Sequence, residues 1–253
     1  MKAQTRLLIP LLMGLFTAPL FAAEYDARLQ WLRKVTLSTP VSGVVVAVNA
    51  AVGDRVKQGA VLVQLDDRAR RASVTALQAE LKRAQNNRDE AERELERTQE
   101  LFDRTVLAEH DLQMAVINRD AAVADLHSTQ AALTQAELEL EYSAVRAPFA
   151  GHVVRRQVEP GQTVVSELQS LPLLEVADTT TMLARALLSA DQLGGVQQGA
   201  AARVVVGDKT FNGKIVHVEL EPQAGAKGQY AVDVRFATGG QLFRVGQSAR
   251  VTF

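Results

Sequence analysis

Few side chains in this sequence stand where covalent chemistry would need them. Asp66-Asp67 is a carboxylate pair, the raw material of acid–base catalysis. Adjacent acids ahead of a helical stretch, however, read as caps for its free N–H groups. The four histidines are His110, His127, His152 and His217, and no two share the spacing of metal ligands. Beyond the N-terminal stretch the methionines are Met114 and Met182, too sparse for a thioether site. Cysteine is absent, which excludes disulfides, thiolate metal sites and a thiol nucleophile. Gly194-Gly195 with Gly199 lacks the Lys-Ser/Thr of a phosphate loop and reads as a turn. No Gly-x-Ser-x-Gly and no Ser/His/Asp constellation is present. The expectation is a chain with no catalytic residue, no metal site and no cofactor.

Charge narrows the field further. With a net charge of −1 and no basic patch, the sequence offers nothing to recruit nucleic acid. Lys2 and Arg6 precede an apolar run from Leu7 to Phe21, and Ala22-Ala23 lead into polar Glu24. A run of roughly 15 residues falls short of the ~20 that span a bilayer. Residues 1–23 are therefore expected to be an export signal that is cleaved, with an uncleaved anchor as the alternative.

The elements that position these residues come in three textures. Over 24–66, Val44, Val46 and Val48, then Val61, Val63 and Leu65, alternate as strands do, with glycines at the turns. From 67 to 142 glycine and proline vanish, which predicts helix. A heptad stripe runs through Leu77, Leu81, Ala84, Arg88, Ala91, Leu95, Thr98 and Phe102. A second runs from Leu112 through Ala115, Arg119, Ala122, Leu126, Thr129, Leu133 and Ala136 to Leu140. Register is lost at 103–107, so two antiparallel helices joined by a short turn are expected. Each arm has room for an extent on the order of 50 Å at ~1.5 Å per residue. Alanine, threonine and two arginines make the seam lean, so support from neighbouring copies or a partner is expected.

Strand texture returns over 143–178. Over 179–253, short strand candidates at Met182–Leu188, 202–206, 211–220, 230–236 and 249–253 suggest a small closed β-barrel. A short helix over 190–196 is expected behind Ser189. The fold class is thus α+β, multi-domain and elongated.

One pattern occurs twice: Pro40-x-x-Gly43 with Gly53-x-x-Val56, and Pro148-x-x-Gly151 with Gly161-x-x-Val164. It resembles the half-motif of lipoyl (biotinyl-lipoyl) domains, whose modified lysine sits on the turn between halves. Here that turn reads Asp66-Asp67-Arg68, without a lysine, so no carrier function transfers. Gly43, Gly53, Gly151 and Gly161 are expected at tight turns that need positive φ. A split lipoyl-like domain, an inserted coiled-coil hairpin and a following barrel together resemble the periplasmic adaptor, or membrane fusion, proteins of the HlyD and RND-efflux type. The segments Leu140 to Gly151 and Val245-Gly246-Gln247-Ser248-Ala249 are similar to theirs.

The resemblance implies an adaptor of a tripartite efflux system, located in the periplasm and forming a ring-like homo-oligomer. Its partners would be an inner-membrane transporter, RND type ahead of ABC type, and a TolC-type outer-membrane channel. Channel-docking adaptors carry Arg, Leu four later and Ser eleven after the Arg at the hairpin tip. Arg97 and Leu101 match that motif, Arg104 lies between, and Ala108 takes the serine's place. Alternatives from other classes are an enzyme-complex carrier domain and a structural coiled-coil protein without a transporter. With few residues before the first half-motif and an end at Phe253, a membrane-proximal domain is expected to be absent.

Overall fold

The structure is a computed structural model that describes residues 23–166, 171–225 and 228–253. The expected export signal lies outside the described residues but for Ala23. Two compact units divide the chain, and the first and last strands fall in the same one.

The first unit is a closed barrel. Its strands are β1 (Glu24–Trp31), β10 (Thr181–Leu188), β11 (Ala201–Val206), β12 (Lys209–Val218), β13 (Tyr230–Ala237) and β14 (Ser248–Thr252). They close in the order β1-β10-β13-β12-β11-β14. Inward positions alternate along them, so Leu29, Leu188, Val204, Val234 and Val251 are fully buried. The barrel therefore does not lie wholly within 179–253: β1 completes it, with Ala27 opposite Ala249 on β14. Alternation in 24–31 shows that it is a strand, but not which sheet it joins. The element behind Ser189 is a single 3-10 turn, Ala190–Leu193, shorter than expected. Gln192 ties it off by accepting from the Ser189 N–H at 2.9 Å.

The second unit holds the repeated motif. Its first half supplies β2 (Lys34–Leu37), β3 (Gly43–Val48), β4 (Arg55–Val56) and β5 (Val61–Leu65). Its second half supplies β6 (Ala144–Arg146), β7 (Gly151–Arg156), β8 (Thr163–Val164) and β9 (Leu174–Ala177). The sheets run β2-β9-β7-β4 and β6-β5-β3-β8. Exchanging each strand for its counterpart in the other half turns one order into the other. Each half supplies one strand pair of its own, β3–β5 and β7–β9, and strands of the other half flank it on both sides to complete the sheet. Leu62, Leu65, Val153, Leu174 and Val176 fill the space between the sheets.

The four motif glycines do different things. Gly53 and Gly161 sit at φ of +95° and +88°, where a Cβ is strained. Gly43 and Gly151 open β3 and β7 without positive φ, so the turn argument does not hold for them. At Gly151 a Cβ would stand 2.3 Å from the Ala177 carbonyl oxygen, whereas at Gly43 the nearest atom is 3.6 Å away. Close approach of β9 explains the first, and nothing in the structure requires glycine at the second. Gly151→Ala should destabilise the unit by about 1–3 kcal/mol through overpacking, while Gly43→Ala stays near neutral. Chemical denaturation of the two variants compares them directly, and equal losses would remove the distinction.

Candidate docking tip of the helical hairpin

Between β5 and β6 the chain leaves as α1 (Arg68–Asp103) and returns as α2 (Glu109–Tyr142). Its two ends meet across one strand pair, with Gln64 opposite Ala144. The Leu65 N–H donates to Ser143 O at 2.8 Å, and Thr39 Oγ1 donates to Tyr142 O at 2.8 Å. Arg70 reaches Ser42 O at 2.6 Å. Strand and helix ends are thereby stitched together at the root.

Asp67 occupies the N-cap of α1, yet its carboxylate accepts from Arg71 at 2.7 Å and not from a backbone N–H. Capping falls to Asp66, whose Oδ1 accepts the Arg68 N–H at 3.2 Å. The Arg68 guanidinium also grips both Asp66 oxygens and holds that carboxyl down at about 2. The hydrogen bond from Arg71 likewise lowers Asp67. Both acids are thus engaged in ending a strand and starting a helix.

Along the seam the buried residues are Val74, Ala84 and Thr98 on α1 and Ala115, Thr129, Leu133 and Ala136 on α2. Most are alanine or threonine, which bury little apolar area per turn. Arg88 and Arg119 lay their stems in the seam; Arg88 Nε has no hydrogen-bond partner, and Arg119 Nε stands beside Asp120 Oδ1 in an ion pair without hydrogen-bond alignment. Their heads reach acids of their own helix: Arg88 to Glu92 at 3.1 Å and Arg119 to Asp120 at 2.9 Å.

At the far end the chain reverses within Arg104 to Ala108. The Thr105 N–H donates to Phe102 O at 2.8 Å, and the Val106 N–H to Leu101 O at 3.1 Å. This is a Schellman closure, which wants a left-handed residue one past the C-cap. Thr105 fills that position at φ 60°, the one non-glycine residue with positive φ among those described. Leu101 is the residue whose carbonyl closes the motif. Ala108 is the N-cap of α2: its carbonyl accepts the Asp111 N–H, and its own N–H donates to Asp111 Oδ2 at 3.3 Å. That is half of a capping box, lacking the hydroxyl that a serine would bring.

Arg97, Leu101, Arg104 and Ala108 accordingly fall within the last two turns of α1 and the reversal. Arg97 is exposed and paired with Glu94, Leu101 is half-buried, and Arg104 and Ala108 are exposed. Sequence reasoning passed over Val106, Met114 and Ile117, which expose 66%, 42% and 56% of their surface beside these residues. They sit in stretches as apolar as Leu112 to Ile117, so sequence alone does not mark which of these side chains face outward. The barrel carries a polar groove of about 740 Å³ bordered by Asp26, Arg28, Arg185 and Gln192. Asp233 anchors Arg185 there through two bonds of 2.7 Å and raises its pKa. No helix among the described residues is long and apolar enough to cross a membrane.

A β-sandwich of two interleaved halves with a hairpin between them defines a barrel-sandwich hybrid. Residues 33–178 match the family model of the CzcB-like barrel-sandwich hybrid domain. The chain belongs to this family. It is 30% identical over 213 residues to the macrolide export protein MacA of Escherichia coli O157:H7, covering 78% of this chain and 57% of that one. The multidrug resistance protein MdtA of Yersinia enterocolitica is 29% identical over 145 residues, 57% of this chain and 32% of that one. The chain therefore spans little more than half the length of the first of these relatives and a third of the second. The crystal structure of a chimera of MacA with the Pseudomonas aeruginosa MexA α-hairpin superposes with a TM-score of 0.70 at 20% identity, over 90% of this chain and 79% of that one, and shares its fold.

The tip geometry carries two local costs, a β-branched residue in the left-handed region and a missing cap oxygen. Ala108→Ser should stabilise α2 by about 0.5–1 kcal/mol, and Thr105→Gly should also raise the melting temperature. Thermal unfolding followed by circular dichroism reads both, and a loss of stability in either would contradict this account of the turn.

Proposed function

We propose that this chain is the periplasmic adaptor subunit of a tripartite efflux system. It would bridge an inner-membrane transporter, of RND type in the first reading, and a TolC-type outer-membrane channel. The observation that carries this reading is the hairpin itself. It occupies the turn where a carrier domain would hold its lysine, and it ends in an exposed cluster with Arg97, Arg104 and Val106 at its tip. Such a device can span and seal, and its mechanism is mechanical coupling without a catalytic step. The relatives named for macrolide export and multidrug resistance support the same reading.

Export across the inner membrane would follow from the N-terminal signal, and side-by-side copies would form a ring around the transport path. An adaptor for an ABC-type macrolide exporter is the second reading. It is favoured by the longer match to the macrolide export protein, 78% of this chain against 57% for the multidrug protein.

Arg97→Glu and Leu101→Asn should abolish most export in cells while leaving secondary structure and expression unchanged. Of the two, Arg97→Glu is the cleaner probe, because Leu101 also belongs to the α1 closure. Normal export in both variants would remove the tip from the docking surface.

A further inference from the structure

A pocket of about 190 Å³ opens on the outer face of the sheet β2-β9-β7-β4. Arg55 on β4 stands opposite His152 on β7, while their neighbours Val56 and Val153 point into the core. The two polar side chains therefore share the outward side of the sheet. Ala150, the Thr179-Thr180 turn after β9 and the stretch Gly240 to Leu242 complete the wall, all within the second unit.

Charge at this pocket is unbalanced. The two halves of the sandwich carry five arginines, Arg33, Arg55, Arg146, Arg155 and Arg156. Arg33 lies over the Phe149 ring at 4.0 Å, and Arg146 donates to Gly59 O at 3.1 Å. Arg155 and Arg156 pair with Glu175 and Glu159. Arg55 alone makes no ion pair or hydrogen bond among the described residues. The acids next to the wall in sequence are already occupied. Asp54 accepts the Ala51 N–H at 2.8 Å, and Asp178 accepts the Thr180 N–H and hydroxyl at 2.8 and 2.6 Å. Among the described residues no carboxylate lines the pocket.

His152 adds a second donor. Its Nδ1 lies 2.8 Å from Thr179 Oγ1, which fixes the ring and leaves Nε2 without a partner among the described residues. When the Thr179 hydroxyl donates to Nδ1, the ring proton sits on Nε2. Apolar surface comes from Ala150 and from Leu242, which is 63% exposed. The volume is well below the ~300 Å³ at which drug-sized ligands are enclosed. It corresponds to roughly six waters at ~30 Å³ each, room for a carboxylate and one small ring.

We infer that this pocket binds a small organic anion, a carboxylate with an apolar body about one ring in size. Arg55 takes the carboxylate with its guanidinium fork, His152 Nε2 donates to it, and Leu242 and Ala150 cover the body. Inorganic phosphate brings charge without a body and fills only half of the site. An anionic lipid pairs charge with apolar chains, but those chains exceed the pocket.

Isothermal titration of the full chain tests this with sodium benzoate as the probe. Acetate supplies the head alone, benzyl alcohol the body alone, and inorganic phosphate a different oxyanion. Benzoate should bind at least tenfold tighter than each of the three. Arg55→Gln should weaken benzoate at least tenfold and Leu242→Ser at least threefold. Lys57→Gln makes the same change of charge two residues away, outside the pocket, and should alter binding less than twofold. All three variants should melt with the wild type. In NMR of the histidine ring nitrogens, benzoate should move His152 toward the tautomer protonated on Nε2.

Benzoate no tighter than acetate and benzyl alcohol would overturn the proposal, as would equal losses from Arg55→Gln and Lys57→Gln. Phosphate binding tighter than benzoate, and lost in Arg55→Gln, would overturn the apolar half of it. Sedimentation with phosphatidylglycerol vesicles that requires Arg55, without benzoate binding, would overturn it in favour of a lipid head group.

Discussion

Everything in the second unit depends on one strand pair. β5 and β6 are neighbours, with Val63 opposite Val145 and Gln64 opposite Ala144. The chain between them must leave and return at adjacent points, whatever its length. An antiparallel helical hairpin satisfies that constraint with little loop-closure cost, because its two ends are together by construction. The same pair belongs to the sandwich core, where Val63, Leu65 and Val145 are buried. Packing of the sandwich and placement of the hairpin are therefore one event. Hydrogen bonds from Leu65, Thr39 and Arg70 then fix the root.

This arrangement explains the distribution of strength along the hairpin. Near the sheet, Val74, Leu77 and Leu81 pack with Leu133, Ala136 and Leu140, and the apolar contact is continuous. Farther out the buried positions are alanine and threonine, with two arginine stems between them and the larger side chains Leu95, Phe102, Leu112 and Leu126 only partly covered. At the turn, Thr105 in the left-handed region and Ala108 without a cap oxygen add local cost. Isolated helical hairpins draw most of their stability from packing rather than propensity.

Much of this was legible in the sequence, for identifiable reasons. Absence of glycine and proline over 67–142 brackets the helical insertion almost to the residue, although the reversal inside it is made without either, by Thr105 in the left-handed region. The twice-written Pro-x-x-Gly pattern marks the two halves because close approach and turn geometry demand specific residues, as at Gly151, Gly53 and Gly161. Positions whose role depends on distant chain were not legible. Alternation in 24–31 shows a strand but not that it closes a barrel against β14. Gly43 repeats the pattern of Gly151, yet no backbone presses on it. Asp67 stands where a cap belongs, and only the geometry shows that Asp66 does the capping. The outward apolar positions of α2, Ile117, Ala124, Ala131 and Leu138 at seven-residue steps, become visible once exposure separates the faces.

The central claim is that the hairpin turn meets an outer-membrane channel while the root stays within the adaptor ring. Site-specific photocrosslinking in intact cells tests it most directly, with the photoreactive residue at position 101 and, separately, at position 139. The account predicts that position 101 captures an outer-membrane channel protein and that position 139 captures only other copies of this chain. Capture of the channel at neither position, or at 139 and not at 101, would contradict it.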